Sequence, residues 1–220
     1  MATATLPDEE VVDIPAEQRF LLRDIDWGTY RAISNALHGR HFRLTYDRGN
    51  LELMTISRTH GGCSRLLVLL VFVLAEEFEL TISNCGDMTC DREDLDRGVE
   101  PDESFYLANE PLVRGKAEID LTVDPPPDLV GEIDISRSSR NRLSIYAAMQ
   151  VPEVWRYDGN ALQVLHLMNG QYQPSDRSRS FPGLPILELA TFLNRRAEMD
   201  EIALVRSFRE WVRGQIGQKG

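Results

Sequence analysis

Carboxylates recur at even spacing in one apolar stretch near the middle of the sequence, PPPDLVGEIDISRSSRNR at 125–142. Side chains two residues apart point to the same face of a β-strand, so Asp128, Glu132 and Asp134 would share one side. Such a side is either the solvated face of an antiparallel strand or a set of oxygen ligands for a hard metal ion. Arginines follow at once and could pair with phosphate oxygens. The spacing alone leaves both interpretations open.

The residues around this stretch predict how it is positioned. Three prolines at 125–127 favour an extended lead into a strand over roughly 128–136. Helical spacing of apolar residues then predicts a helix at about 138–150. A crossover of this kind usually covers a sheet face, and covered carboxylates are costly without a counter-charge or a metal. The crossover therefore argues against a simple solvated face.

The remaining elements predict a mixed α/β domain, because strands interleave with helices and some strands pair as hairpins. Hairpins are indicated where turn residues separate two alternating runs, as at Asp47–Asn50 and Asp158–Asn160. Further strands are predicted at 80–84, 87–90 and 103–108, and helices at 27–39, 60–78, 185–195 and 198–214. The apolar stripe of the last helix is a candidate dimer surface.

Composition limits the classes of function. A net charge of -11 argues against non-specific coating of DNA, and all the positive charge except Lys116 and Lys219 is arginine. Three cysteines fit neither a disulfide framework nor a zinc site, which favours a reducing cytoplasm. The strongest apolar run, Leu66 to Ala75, is about half of what spans a bilayer, so we expect a buried helix and no membrane association. The first residues lack the basic and apolar regions of a secretory signal.

Several pieces of the sequence together are similar to one known family. They are LELMTISRTHGG at 51–62, VEPDESF at 99–105, PPPDLVGEIDIS at 125–136 and NRLSIYAAMQVPEVWRYDG at 141–159. Their combination resembles the Uma-type family of restriction endonucleases, within the PD-(D/E)XK nuclease superfamily. The likeness covers roughly residues 27–195, and PEVWRYDG is its most specific piece.

The resemblance implies a restriction-endonuclease-like core, with a mixed central sheet flanked by helices and a metal site where central strands diverge. It also implies hydrolysis of DNA phosphodiester bonds with Mg²⁺ or Mn²⁺. Asp102 and Glu132 match the two acidic motifs and would bind the metal. Glu52 would be a further metal ligand, and His60 would contact the ligands rather than the metal itself. Arg142 matches a helix position, four residues before a tyrosine, where family members generally carry lysine.

Departures from the motif bear on activity. Asp134 stands where the superfamily places its lysine, and no lysine is near in the sequence. Arginine keeps its proton at any working pH, so Arg142 could stabilise charge but could not act as a general base. Asp134 would then be a third ligand, a base that orients water, or the mark of a site that has lost catalysis. The alternative function is therefore a degenerate nuclease fold that serves as a binding or regulatory module.

Ordinary structural roles also suit several of these residues. Asp102 follows a proline and could be a turn carboxylate, whereas His60 could simply begin a helix. Glu52 could face solvent on its hairpin, and Arg137 and Arg140 could form a solvated turn.

The predicted organisation is a flexible acidic segment at 1–20, a restriction-endonuclease-like domain at 21–196 and a C-terminal helix extension at 197–220. We expect DNA as the substrate and a homodimer as the working form, since nucleases of this kind often act as dimers.

Overall fold

The computed structural model describes residues 17–86, 88–135 and 142–217. Most of the predicted N-terminal segment lies outside these ranges. Arg137 and Arg140 also lie outside them. The same is true of the last residue of the strand predicted at 128–136 and of the first residues of the helix predicted at 138–150.

A first, antiparallel sheet is built from strands that lie between residues 19 and 99. Its strands, in spatial order β1-β3-β2-β6-β5, are β1 (Arg19–Leu22), β2 (Phe42–Asp47), β3 (Asn50–Thr55), β5 (Cys90–Arg92) and β6 (Arg97–Val99). Helix α1 (Trp27–Leu37) packs on this sheet through a small aromatic cluster, in which Tyr30 stacks on Tyr46 with ring centroids 4.6 Å apart. The predicted turn between β2 and β3 is confirmed, and Gly49 adopts a φ of 83° there.

A second sheet carries the carboxylate stretch. Its spatial order is β11-β10-β9-β8-β7-β4, with β4 (Ser83–Asn84), β7 (Glu103–Tyr106), β8 (Leu129–Ile133), β9 (Glu153–Tyr157), β10 (Leu162–Met168) and β11 (Gln171–Ser175). Among the described strands, β8 and β9 form the one parallel pair, and the other pairs are antiparallel. Helix α4 (Arg142–Ala148) lies in the crossover that joins β8 to β9, as parallel strands require.

Both faces of β8 are covered. Helix α2 (Arg58–Glu77) packs on one face together with α5 (Leu189–Asn194) and α6 (Glu201–Gly217), in a large apolar core. Helix α4 packs on the other face through Ile145 and Tyr146, which lie in a second core with Val130 and Val154. A short helix, α3 (Glu110–Val113), follows β7. The fold is thus mixed α/β with two sheets flanked by helices, consistent with a restriction-endonuclease-like fold.

Helix α2 is the central core helix, as its apolar run predicts. Within the described residues it is also the one helix that is long and apolar enough to cross a membrane by length and composition. In this structure 61% of its most apolar window is buried inside the protein. Ser57 caps its start by accepting a 3.1 Å hydrogen bond from the backbone amide of His60.

Several predicted elements differ from the observed ones. The strand at 103–108 is shorter, and the helix at 185–195 is a 3₁₀ turn followed by α5. Strands β1, β6 and β11 have no counterpart in the prediction, because each is short and lacks a clear alternation of apolar and polar residues.

The interpretation of the last helix as an exposed dimer stripe is wrong. Phe208 and Val212 are fully buried against α2 and α5, and Phe208 meets Phe192 edge to face at 4.9 Å. The stripe consists of Ile202, Val205, Phe208 and Val212, and among these four residues Ile202 alone is strongly exposed, at 70%. The domain division stays a prediction, but α6, placed in the C-terminal extension, contributes to the main core.

Gly98 of β6 lies directly against the hydroxyl of the buried Tyr30, so a Cβ there would overlap that oxygen. We expect Gly98→Ala to lower the free energy of unfolding by about 1–3 kcal/mol, because the aromatic cluster must shift. Gly214 of α6 has open space around it, and Gly214→Ala should stabilise the protein by up to about 1 kcal/mol through helix propensity. Urea unfolding followed by circular dichroism measures both, and equal stability of the two variants would contradict the packing described here.

Candidate active site

The pairing of β7 with β8 brings the two predicted metal ligands side by side. The register pairs Glu103 with Gly131, so the next positions outward on the two antiparallel strands are Asp102 and Glu132. Both side chains are buried, with 1% of Asp102 and 7% of Glu132 exposed. Neighbouring strands thus present two carboxylates to one small region, away from bulk water.

Asp102 is held on both of its oxygens. Its Oδ2 accepts a 2.8 Å hydrogen bond from the backbone amide of Ile133. Its Oδ1 lies 2.8 Å from His60 Nε2 and 3.5 Å from Arg43 Nε, which are ion-pair contacts rather than aligned hydrogen bonds. Burial alone would raise the pKa of Asp102, but His60, Arg142 and the Ile133 amide outweigh it and lower that pKa.

Glu132 is held by the crossover helix. Its Oε2 lies 2.6 Å from Arg142 Nη1, and its Oε1 accepts a hydrogen bond from the hydroxyl of Tyr146. The second terminal nitrogen of Arg142 donates to the backbone carbonyl of Glu100. Burial raises the pKa of Glu132 to about 7; Asp102 adds to this rise, whereas Arg142 and the Tyr146 hydroxyl oppose it.

His60 lies between two carboxylates. Its Nε2 faces Asp102, and its Nδ1 lies 3.1 Å from Glu17 Oε1, which also accepts a 2.9 Å hydrogen bond from the Ser57 hydroxyl. Burial would lower the pKa of His60, but the two carboxylates outweigh it and raise that pKa. The imidazole is therefore stabilised in its charged form and fixes the position of Asp102.

Glu52 and Asp134 also lie near the site, each in an ion pair with an arginine, and the charge of Glu52 also acts on Arg142. Glu52, on β3 of the first sheet, is 2% exposed and pairs with Arg19 at 3.0 Å, so its interpretation as a solvent-facing hairpin residue is wrong. Asp134 accepts a 2.9 Å hydrogen bond from Arg156 Nε on β9.

A cavity of about 150 Å³ lies beside Glu132 and Asp134, and Asp102 and His60 are not part of its lining. Three arginines and two carboxylates contribute charges to its lining, namely Arg19, Arg142, Arg156, Glu132 and Asp134. In the ranges that the structure describes, no group of three or more histidine, cysteine, aspartate or glutamate side chains has the arrangement of a metal site. The cavity thus combines charged side chains of both signs with apolar walls formed by Met54, Ile133, Leu143 and Val154.

The structure brings four of the predicted site residues into one linked set: Asp102, Glu132, His60 and Arg142. It adds residues to which no site role was given, and these are Glu17, Arg19, Arg43, Tyr146 and Arg156. The signal for Tyr146 was present in the sequence, because a residue four positions after Arg142 lies on the same face of a helix. The other four approach from distant elements, and local sequence carries no signal for them.

These features define the class of protein: a restriction-endonuclease-like fold whose acidic motif residues meet on adjacent strands. The family model of Uma2, described as "Putative restriction endonuclease", matches residues 27–199. The chain belongs to this family, and the predicted resemblance is confirmed over nearly the range expected. No curated protein matches the chain.

The raised pKa of Glu132 predicts a pH-dependent stability. Because this carboxyl binds its proton more tightly in the folded protein, its contribution is complete below the ordinary pKa of 4.5 and is lost as pH rises through about 7. We expect the stability of the wild type, relative to Glu132→Gln, to fall by roughly 2–3 kcal/mol between pH 5 and 8.

Urea unfolding at a series of pH values measures this difference. Glu198→Gln is the matched control, since the Glu198 side chain is 71% exposed, and its difference from the wild type should stay constant. A constant difference for Glu132→Gln as well would contradict the perturbed carboxyl.

Proposed function

We propose that the protein is a metal-dependent endonuclease that hydrolyses DNA phosphodiester bonds. The observation that carries this proposal is the placement of Asp102 and Glu132 at neighbouring positions of adjacent strands, with Arg142 against Glu132. Membership of the Uma2 family, which suggests nuclease activity, supports the same conclusion.

The donor chemistry of the site fits a hard divalent cation. Mg²⁺ and Mn²⁺ prefer oxygen ligands, and Mg²⁺ usually takes one or two protein carboxylates and keeps several waters. Asp102 Oδ1 is a buried carboxylate oxygen 2.8 Å from His60 Nε2, so a bound cation would share this oxygen with the imidazole. Asp102 and Glu132 would hold the cation, which supplies a Lewis acid for the phosphodiester oxygen.

The side chains around the carboxylates have distinct roles in this proposal. Arg142, buried and permanently charged, stabilises negative charge that develops on the phosphate, in place of the family lysine. Tyr146 orients Glu132 through its hydroxyl, and His60 orients Asp102. Asp134 holds Arg156 at the cavity, where the guanidinium can contact a phosphate oxygen.

Cleavage of supercoiled plasmid in Mn²⁺ or Mg²⁺ tests this function. We expect the wild type to nick or linearise the plasmid, and Glu132→Ala and Asp102→Ala to lose at least about 100-fold in rate, because each removes a ligand. Glu198→Ala, which removes an exposed carboxylate, should cleave at the wild-type rate. Equal rates in the wild type and Glu132→Ala, or cleavage that persists in excess chelator, would contradict the assignment.

A second candidate function is a catalytically degenerate fold that binds a partner without turnover. One observation favours it: cationic side chains already contact both carboxylates, Arg142 on Glu132, and His60 and Arg43 on Asp102. Ion pairs of this kind can stabilise buried carboxylates without any metal.

Binding of Mn²⁺ separates the two functions without an activity assay. If the carboxylates hold a cation, millimolar Mn²⁺ should raise the Tm of the wild type by several degrees, because a ligand that binds only the folded state stabilises it. Glu132→Ala should lose this shift, and Glu198→Ala should keep it. An equal Tm with and without Mn²⁺ in the wild type would favour the degenerate module.

A homodimer and a cytoplasmic location remain proposals. The three cysteines, Cys63, Cys85 and Cys90, are free thiols in this structure, which suits a reducing compartment. A dimer would place two sites on the two strands of a duplex, but its surface is not the apolar stripe of α6.

A further inference from the structure

Helix α2 presents a basic face at its beginning. Arg58 and Arg65 are exposed and seven residues apart, so they lie on one side of the helix about two turns from each other. Gly61 and Gly62 lie between them on the same side and leave the helix surface flat. We call the surface made by Arg58, Gly61, Gly62 and Arg65, together with Arg196, the arginine face.

Arg196 joins this face from the 3₁₀ turn that follows α5. A Cβ on Gly62 would lie 2.7 Å from Arg196 Nη1, and a Cβ on Gly61 would lie 3.5 Å from Arg65 Nη1. Both guanidinium groups therefore rest close to the helix backbone, in space that the two glycines provide. The result is three guanidinium groups along the first turns of one helix.

In the described part of the chain, no carboxylate balances the charge of the arginine face. Among the described residues, Arg58, Arg65 and Arg196 form no ion pair within 4.0 Å. The nearest acidic residue in sequence to Arg196, Glu198, pairs with Arg195 at 3.9 Å. In a chain of net charge -11, these three positive charges remain available to an external anion.

A groove lies beside the arginine face, since Thr59 and Arg196 contribute to its lining. It has a volume of about 370 Å³ and is lined by polar side chains of Thr59, Asn160, Asn194 and Arg196, and by Ile135. Ile135 of the groove and Asp134 of the active-site cavity are successive residues of the chain, so the groove and the cavity lie at the same end of β8, on opposite faces of its sheet.

We propose that the arginine face and this groove bind the phosphate backbone of the DNA strand that enters the Asp102–Glu132 site. The inference rests on the proposed nuclease function for its choice of ligand. Guanidinium groups pair with phosphate oxygens in a bidentate manner, and the amide and hydroxyl groups of the groove add further donors. No base edge is required, so binding at this face is independent of sequence.

Binding of a fluorescent 20-base-pair duplex in chelating buffer, measured by anisotropy between 50 and 200 mM salt, tests this proposal. Each lost phosphate contact reduces the magnitude of the negative slope of log affinity against log salt by about 0.9. We expect the double variant Arg58→Ala/Arg65→Ala to have a slope smaller in magnitude by about 2, and to bind roughly tenfold more weakly at 100 mM salt. Arg58→Lys/Arg65→Lys should keep the slope near that of the wild type.

Arg177→Ala is the matched control, because Arg177 is exposed, forms no ion pair within the described residues and follows the edge strand β11. It should bind DNA with the slope of the wild type. An equal slope in Arg58→Ala/Arg65→Ala and Arg177→Ala would overturn the arginine face, as would failure of the wild type to bind the duplex.

The two proposals fail separately. If binding depends on Arg58 and Arg65 but no plasmid is cleaved, the arginine face stands and the nuclease activity is wrong. If cleavage depends on Glu132 and binding is indifferent to the arginines, the nuclease activity stands and the arginine face is wrong.

Discussion

Burial of two carboxylates on adjacent strands is the constraint around which the rest of the structure is arranged. Taking Asp102 and Glu132 out of water costs several kcal/mol for each charge unless counter-charges accompany them. The counter-charges come from three directions: His60 from α2, Arg142 from α4 and Arg43 from the first sheet. Each of these elements must therefore dock before the carboxylates are electrostatically stable, which ties the fold to the site.

The two carboxylates respond differently to the same burial. Asp102 has the His60 charge beside it and a backbone amide on its other oxygen, so its pKa is lowered. For Glu132 burial prevails and its pKa rises, because its ion-pair partner Arg142 also donates to the Glu100 carbonyl and its other contact is a neutral hydroxyl. Neighbouring acids whose pKa values are pushed apart are a common feature of catalytic sites and also occur in structural ion-pair networks. This asymmetry is compatible with both proposed functions.

Much of the fold could be predicted from local sequence. Turn residues at Asp47–Asn50 and Asp158–Asn160 located both hairpins, and a long apolar run located α2. The family motifs selected Asp102 and Glu132, and the structure places them side by side. Short edge strands such as β1 and β11 could not be predicted, because their pairing depends on partners elsewhere in the sheet rather than on their own residues.

The electrostatic partners could not be predicted for a related reason. Three of these partners reach the site from the first sheet or from the residues before it: Glu17, Arg19 and Arg43. Glu17 lies 43 residues from His60 in the sequence, and Arg19 lies 33 residues from Glu52. The Arg19–Glu52 contact is set by the pairing of β1 with β3, and the Arg43–Asp102 contact is set by how the two sheets pack. No local pattern encodes either contact. Glu52 illustrates the point: its position on a hairpin suggested exposure, and packing of the sheets buried it.

The crossover through α4 has a consequence for how the molecule assembles. Arg142 and Tyr146 belong to the connection that must close before β8 and β9 can lie parallel. Closing such a connection costs chain entropy before its contacts form, so parallel pairing is a slow step in folding. The topology therefore favours one order of folding. The antiparallel hairpins can form early, and the contacts of Arg142 and Tyr146 with Glu132 form late. A newly synthesised chain would therefore form its hairpins before its active site is complete.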